Sequence, residues 1–191
     1  MSRFLATLDT CVLVPSRLRD TLLDASAAGL YECHWSDDTF DELQRTLAEK
    51  TGQPDKIARL LAAMNEQFPA AAVQRREYQH LIKGLTNHPK DRHVLAAAIV
   101  SHSTVIVTDN LRDFRPDALA PHAVLAQTAD AFLVQLFYQS PARILTLLHD
   151  QAAAYYRRPM TFDGLLDVLR KSVPTFADLA ASADPLTSRR Q

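Results

Sequence analysis

Four aspartates stand where hydrophobic segments begin or end, and a glutamate lies on a helix between them in the chain. Asp9 closes the short apolar run Phe4-Leu5-Ala6-Thr7-Leu8, and Asp91 opens an apolar helical segment. Asp109 and Asp113 follow the β-branched run Thr104-Val105-Ile106-Val107-Thr108, and Glu42 lies on a helix that starts at Ser36. A fold gains nothing from carboxylates at such edges. Brought within a few ångströms of one another, they raise each other's pKa unless a cation screens them. Oxygen-only ligands suit Mg²⁺ or Mn²⁺, and Mg²⁺ is often completed by substrate phosphate oxygens. Such a site can activate a water and stabilise the leaving oxygen of a phosphodiester.

Each acid also has a plainer reading. Asp91 and Asp38 would serve as helix caps, Glu42 as part of a solvated helix face, Asp109 and Asp113 as turn residues. Joint placement at the ends of separate elements is what favours a metal site. Thr108 would orient an acid through its hydroxyl and Asn110 would hold the loop by side-chain hydrogen bonds; both read equally well as ordinary turn residues. The seven histidines show no metal spacing. His93 is near Asp91 in sequence but points roughly 200° around the helix at about 100° per residue, which reads as surface or substrate-facing.

The elements that must position these groups alternate between strand and helix. Strands are expected at residues 4–8, 30–35 and 104–108, with a weak last one near Val124 and Leu125. Cys11 to Val14 continue apolar to Pro15, which breaks the run. Leu18, Leu22, Leu23 and Ala27 recur at helical spacing up to Gly29. Ser36 caps a helix with Asp37 and Asp38 in its first turn and Phe40, Leu43 and Leu47 as its buried stripe; Gly52-Gln53-Pro54 stops it. Asp55 caps the next, with Ile57, Leu60, Leu61 and Met64 inward, and Pro69 ends it. Residues 73–89 have a weak pattern and read as a short helix and a loop. Pro89 lies near N1 of the helix that buries Val94, Leu95, Ala98 and Ile99. Strands alternating with helices predict a three-layer α/β/α sandwich around a central, mostly parallel sheet, with ligands at the carboxyl ends of the strands. After Gln127 only helical stripes remain: Phe132, Leu133, Leu136 and Phe137; Ile144, Leu145 and Leu148; Leu165, Leu166 and Leu169; Phe176 and Leu179. The division expected is therefore residues 1–129 as the α/β domain and 130–191 as a helical C-terminal extension, with a frayed polar end from Asp184.

Composition narrows the classes. The 191 residues are 47% hydrophobic and 23% charged, ordinary for a globular domain, with a formal net charge of -1 that announces no bulk nucleic-acid affinity. Four glycines make a phosphate-cradling loop unfavoured, and no P-loop or dinucleotide fingerprint is present. Cys11 and Cys33 have no metal spacing and read as buried reduced thiols. The start MSRFLATLDT has too short an apolar run for a signal peptide, and no segment reaches the ~18 apolar residues of a membrane span, so the expected location is cytoplasmic.

At LDTCVLV with Asp9, SDDTFDEL with Glu42, HPKDRHVLAAA with Asp91 and VTDNLRDF with Thr108, Asn110 and Asp113, the chain resembles the PIN-domain ribonucleases, in particular the VapC toxins of bacterial toxin–antitoxin pairs. The resemblance spans about residues 4 to 127 and rests on four short motifs in the right order. It implies Mg²⁺-dependent endonuclease cleavage of RNA, often tRNA or rRNA, neutralisation by a small VapB-type antitoxin, and a homodimer. By its implication the first and third acids are metal ligands, which places them at Asp9 and Asp91, and the second acid falls on Glu42. Many members carry an Asp two residues after the Thr, where this chain has Asn110. Thr-x-Asn-x-x-Asp-Phe makes Asp113 the matching fourth acid, with Asp109 an extra acid that could substitute. A subset of VapC-like proteins carries a helical extension like this one.

A nuclease also needs cations around its acids. Arg75, Arg76, Lys83, Lys90 and Arg92 lead into Asp91, and Arg112 sits inside the acidic turn; RNA phosphate contacts and a solvated basic face are the two readings. The competing functions are a catalytically weak PIN-like module that binds RNA or a partner, and a phosphohydrolase using Asp9 as nucleophile. The last lacks the second Asp expected two residues on, where Cys11 stands.

Overall fold

The computed structural model describes residues 4–155 and 159–184. They form two compact units: the chain through Val14 with Tyr31–Gln127, and Pro15–Leu30 with the chain from Thr128 on. In chain order the elements are β1 (Leu5–Leu8), α1 (Thr10–Leu13), α2 (Ser16–Ala27), β2 (Glu32–Ser36), α3 (Asp37–Thr51), α4 (Pro54–Gln67), β3 (Ala72–Val73), α5 (Arg75–Tyr78), α6 (Arg92–Val100), β4 (Val105–Val107), α7 (Pro116–Leu119) and β5 (Leu125–Gln127). Four helices follow: α8 (Ala129–Gln139), α9 (Pro141–Ala154), α10 (Phe162–Leu169) and α11 (Pro174–Ala183).

The first unit is built on a five-stranded sheet in the order β3-β2-β1-β4-β5, every pair parallel. This is the α/β architecture with a parallel sheet that the alternation of strands and helices predicts. Ala6 to Leu8 of β1 and all of β4 are buried, as the near-continuous apolar runs of parallel strands require. The chain steps outward from β1 through β2 to β3, then returns to lay β4 and β5 on the other side of β1. Strand order therefore reverses between β1 and β4, and ligands of open α/β sheets bind in the crevice outside the carboxyl ends at such a reversal. Leu8 pairs with Val107 at that point, so Asp9 and Thr108 leave the sheet side by side.

One helix anchors this edge. Val94 to Ala98 of α6 are fully buried and the helix packs across β2, β1 and β4. Three consecutive alanines, Ala96 to Ala98, let its backbone come close. Tyr78, Leu85, Ile106, Phe114, Leu119 and Val124 complete that core, each large side chain contributing roughly 1.5–3 kcal/mol by burial. Trp35 is fully buried, stacked on Phe40 at 5.2 Å and edge-on to Phe68 at 6.2 Å.

Several local expectations are corrected. Cys11 to Val14, read only as a continued apolar run, are helical: Asp9 accepts a hydrogen bond from the Thr10 amide and turns the chain into α1. Asp55 is not a cap; Gln53 holds that position, Pro54 is at N1, and Asp55 lies in the first turn, where the helix dipole favours it. Between 73 and 89 the expected short helix forms as α5, with a Gln74/Glu77 capping box, but a strand precedes it. With only two residues, β3 has no periodicity to detect.

In the second unit α2 packs with α9, and α8 with α9 and α11. Gln151 is buried there, accepting from Thr21 Oγ1 at 2.8 Å and donating to the Arg17 carbonyl at 3.0 Å. The Asp130 carboxylate accepts the Thr175 and Phe176 amides at the start of α11. Chain pattern alone suggested a boundary at 129/130, whereas contacts group Pro15–Leu30 with the later helices. The polar end expected from Asp184 lies, beyond that residue, outside the described residues. Among those described, no helix is long and apolar enough to cross a membrane.

Candidate functional site

Asp9 is 6% exposed and saturated with donors. Its Oδ1 accepts the Thr10 amide at 2.7 Å, and its Oδ2 accepts the Thr108 hydroxyl at 2.7 Å and the Cys11 thiol at 3.1 Å. Thr108 Oγ1 accepts in turn from the Asn110 amide at 3.0 Å. The residue after β1 and the residue after β4 are thus tied together at the strand-order reversal. Burial, then the neighbouring Asp9 charge, pushes the Cys11 thiol up to about 12, so it remains a protonated donor. Cys11 is partly exposed here and Cys33 is buried; neither forms a disulfide.

Asp91 occupies the N-cap position of α6 but makes no side-chain capping hydrogen bond. Its carboxylate gathers instead with Asp113 and His88, one ligand atom from each lying within 4.8 Å of the others. His88 Nδ1 is 3.5 Å from Asp91 Oδ2. The backbone fixes this trio: the His88 amide donates to the Asp113 carbonyl at 3.2 Å and the Asp91 amide to the His88 carbonyl at 2.9 Å. Burial, then the charges of Asp9 and Asp113, pushes Asp91 up to about 6. Asn110 Nδ2 donates to Asp113 Oδ2 at 2.5 Å and, as the main cause, holds that carboxyl below its usual value. Asp9 is outside the tight trio yet close enough to be felt by Asp91. Two acids from one turn and helix head, facing a third from a strand end, with an imidazole beside them, are a donor set that fits a divalent cation.

Glu42 projects from α3 toward the same edge. Its Oε2 accepts the Thr10 hydroxyl at 2.7 Å and its Oε1 lies 3.4 Å from His93 Nε2. Burial works to raise this carboxyl, but His93 and Thr10 outweigh it and hold it below its usual value. His93 corrects the sequence reading: it is 6% exposed, not a surface residue, and its Nδ1 is 2.8 Å from the Ser36 hydroxyl. Angle around α6 locates a residue on its own helix and says nothing of which element packs there; here α3 does.

The remaining candidates separate. Asp109 is exposed, with its amide donating to Cys11 Sγ at 3.4 Å, and is not in the trio. Arg75 is engaged by Asp38 and Asp41, at 2.5 and 2.9 Å, and these acids hold its guanidinium charged. Arg92 donates to the Asn87 carbonyl, and Arg112 to Asn110 Oδ1. Lys83 and Lys90 are exposed; Lys90 lines a cleft with Arg45, Glu42 and His93. Sequence reasoning missed His88 and His93. A His-x-x-Asp spacing just before an apolar helix was the available signal for His88, since i and i+3 meet in a helical turn.

The parallel sheet, its strand-order reversal and the acids at its edge define a class, and the chain belongs to the PIN-domain family. Residues 6–112 match the family model described as PIN domain, and residues 129–182 match the one described as VapC50 C-terminal domain. The chain is similar to the curated protein named "Putative ribonuclease VapC50" of Mycobacterium tuberculosis (strain H37Rv), with 40% identity over 111 residues. That stretch covers 56% of this chain and 64% of the relative, so the match spans less than two thirds of the relative's length. The VapC-like PIN domain with a C-terminal extension, expected from the four motifs, is thereby found. No solved structure matches.

Proposed function

We propose that this protein is a metal-dependent endoribonuclease, the toxin of a VapBC-type pair, acting in the cytoplasm on structured RNA such as tRNA or rRNA and restrained by a small VapB-type antitoxin. The observation that carries this reading is Asp91. It sits at a helix head where capping would be ordinary, leaves its carboxylate out of the cap, and gathers it with Asp113 and near Asp9, where burial and like charge push it up to about 6. A fold keeps such an arrangement when a cation compensates it.

Asp9, Asp91 and Asp113 would hold Mg²⁺ or Mn²⁺, with His88 adjacent and Asp109 outside the set. A bound ion supplies positive charge for the scissile phosphate and for the leaving oxygen. The chain's own groups do the rest. Thr108 and the Thr10 amide fix Asp9, and Asn110 clamps Asp113. Glu42, held by Thr10, orients the water that attacks phosphorus. Lys83, Lys90, Arg92 and Arg112 contact flanking phosphates, while Arg75 is committed to Asp38 and Asp41. Resemblance to a protein named as a ribonuclease supports the same reading.

The test uses Asp9→Asn and Asp91→Asn with total bacterial RNA, Mg²⁺ or Mn²⁺, and an EDTA control. Cleavage should fall by at least about 100-fold in each variant, and growth inhibition on induced expression should disappear, with circular dichroism unchanged. Undiminished cleavage by both variants would overturn the reading.

A further inference from the structure

His93 is buried at 6% exposure, yet its Nε2 has no well-formed hydrogen bond. That nitrogen points at Glu42 Oε1, 3.4 Å away. On its other side lies a chain of hydroxyls: Ser36 Oγ accepts the Thr39 amide at 3.0 Å, contacts Thr39 Oγ1 at 2.9 Å, meets His93 Nδ1 at 2.8 Å and also interacts with the Tyr78 hydroxyl. If Thr39 supplies its proton to Ser36, the Ser36 proton goes to Nδ1, and the imidazole proton is left on Nε2, facing the carboxylate. Asp38, also on α3, is engaged by Tyr78 and Arg75, and Asp41 by Arg75.

We propose that His93 is a positioning residue for Glu42: its Nε2–H, together with the Thr10 hydroxyl, clamps the carboxylate from two sides at the edge of the acidic cluster. The clamp rests on the nuclease reading for its purpose, and its logic is one of register. Thr10 follows Asp9 directly, and His93 follows Asp91 by two residues, in the first turn of α6. Glu42 is therefore referenced to the same two backbone segments that carry the paired acids, and α3 cannot drift relative to them without breaking a contact. A buried imidazole whose ring is fixed by one hydroxyl and whose other nitrogen faces a working carboxylate is how proteins orient such groups.

The experiment compares His93→Ala, His93→Gln, Glu42→Gln and the double variant His93→Ala/Glu42→Gln, with total bacterial RNA as probe and saturating Mn²⁺. His93→Ala should lower the maximal rate about 10–100-fold while the half-saturating RNA concentration stays within about twofold. His93→Gln, which offers an amide N–H at similar reach, should recover to within about threefold of the wild type, and the double variant should be no worse than Glu42→Gln alone. Losses that multiply, a loss confined to the half-saturating concentration, or a folded His93→Gln as poor as His93→Ala would each overturn the proposal. A second readout is independent of activity. In ¹⁵N-histidine NMR spectra of the full chain, His93 should carry its proton on Nε2, and that proton should move in Glu42→Gln. A proton on Nδ1, or a signal indifferent to Glu42, overturns the clamp even if RNA is cleaved. Wild-type protein that cleaves no RNA but shows the coupled Nε2 proton overturns the nuclease reading and leaves the clamp standing.

Discussion

Replacing Thr108 by Val removes one hydroxyl and almost nothing else. Thr108 is fully buried at the end of β4, and valine fills the same volume, so no cavity opens. The lost group donates to Asp9 Oδ2 at 2.7 Å and accepts the Asn110 amide at 3.0 Å. A hydrogen bond to a charged acceptor is worth about 1.5–3 kcal/mol, and Asp9, being buried, has no water ready to replace it. The Asn110 amide is half-buried, so its loss adds about 1 kcal/mol at most, and burying a methyl in place of the hydroxyl returns a similar amount. The expected net loss is about 1.5–3 kcal/mol, or roughly 3–12 °C in Tm for a chain of this size. Urea unfolding in EDTA would read the first figure. Freed on one side, Asp9 should also bind Mn²⁺ about 10–100-fold more weakly by calorimetry. Thr108→Ser keeps the hydroxyl and should stay near wild type in metal affinity. The reasoning fails if Thr108→Val matches the wild type in both assays. It also fails if Thr108→Ser loses as much metal affinity as Thr108→Val, because the methyl group would then be what matters.

Two further outcomes test other parts of the molecule. Asp24 on α2 is half-buried, and burial, then the Asp20 charge, pushes it up to about 6. Its folded pKa is above the unfolded value, so the stability it contributes is complete below about pH 4 and is lost as pH rises through about 6. After discounting for solvent screening, Asp24→Asn should be more stable than wild type by about 1 kcal/mol at pH 7, with the urea midpoints converging by pH 4. A gap that persists at pH 4 would count against it. His88→Ala should erode a preference for Mn²⁺ over Mg²⁺ by about tenfold in direct binding titrations, because imidazole favours the former; an unchanged ratio places His88 outside the ion's reach.

Much of this protein can be read from one chain. The strands β1, β2 and β4 announce themselves as short apolar runs, because parallel strands are buried and need no alternation. Asp9, Asp91 and Asp113 stand out because they end such runs, and the order of four motifs specifies the family. The helical stripes after Gln127 are equally plain, since periodicity is a local property. Asp91 shows where this stops. Composition and position cannot separate a capping aspartate from one turned toward other acids; that depends on where Asp9 and Asp113 arrive, which only the sheet order decides.

His93, His88 and α2 show the same limit from three sides. A helical wheel places His93 on α6 but cannot know that α3 brings Ser36 and Glu42 against it. His88 lies in a loop pattern and becomes a neighbour of Asp113 through a backbone hydrogen bond between segments far apart in sequence. Helix α2 lies between the first two strands, yet its packing partner is α9. Local pattern determined which segments are strands and helices and which acids sit at their ends. Which acids share a cleft, which histidines lie against them and which helices share a core depend on contacts between distant segments, and those exist only once the chain has folded.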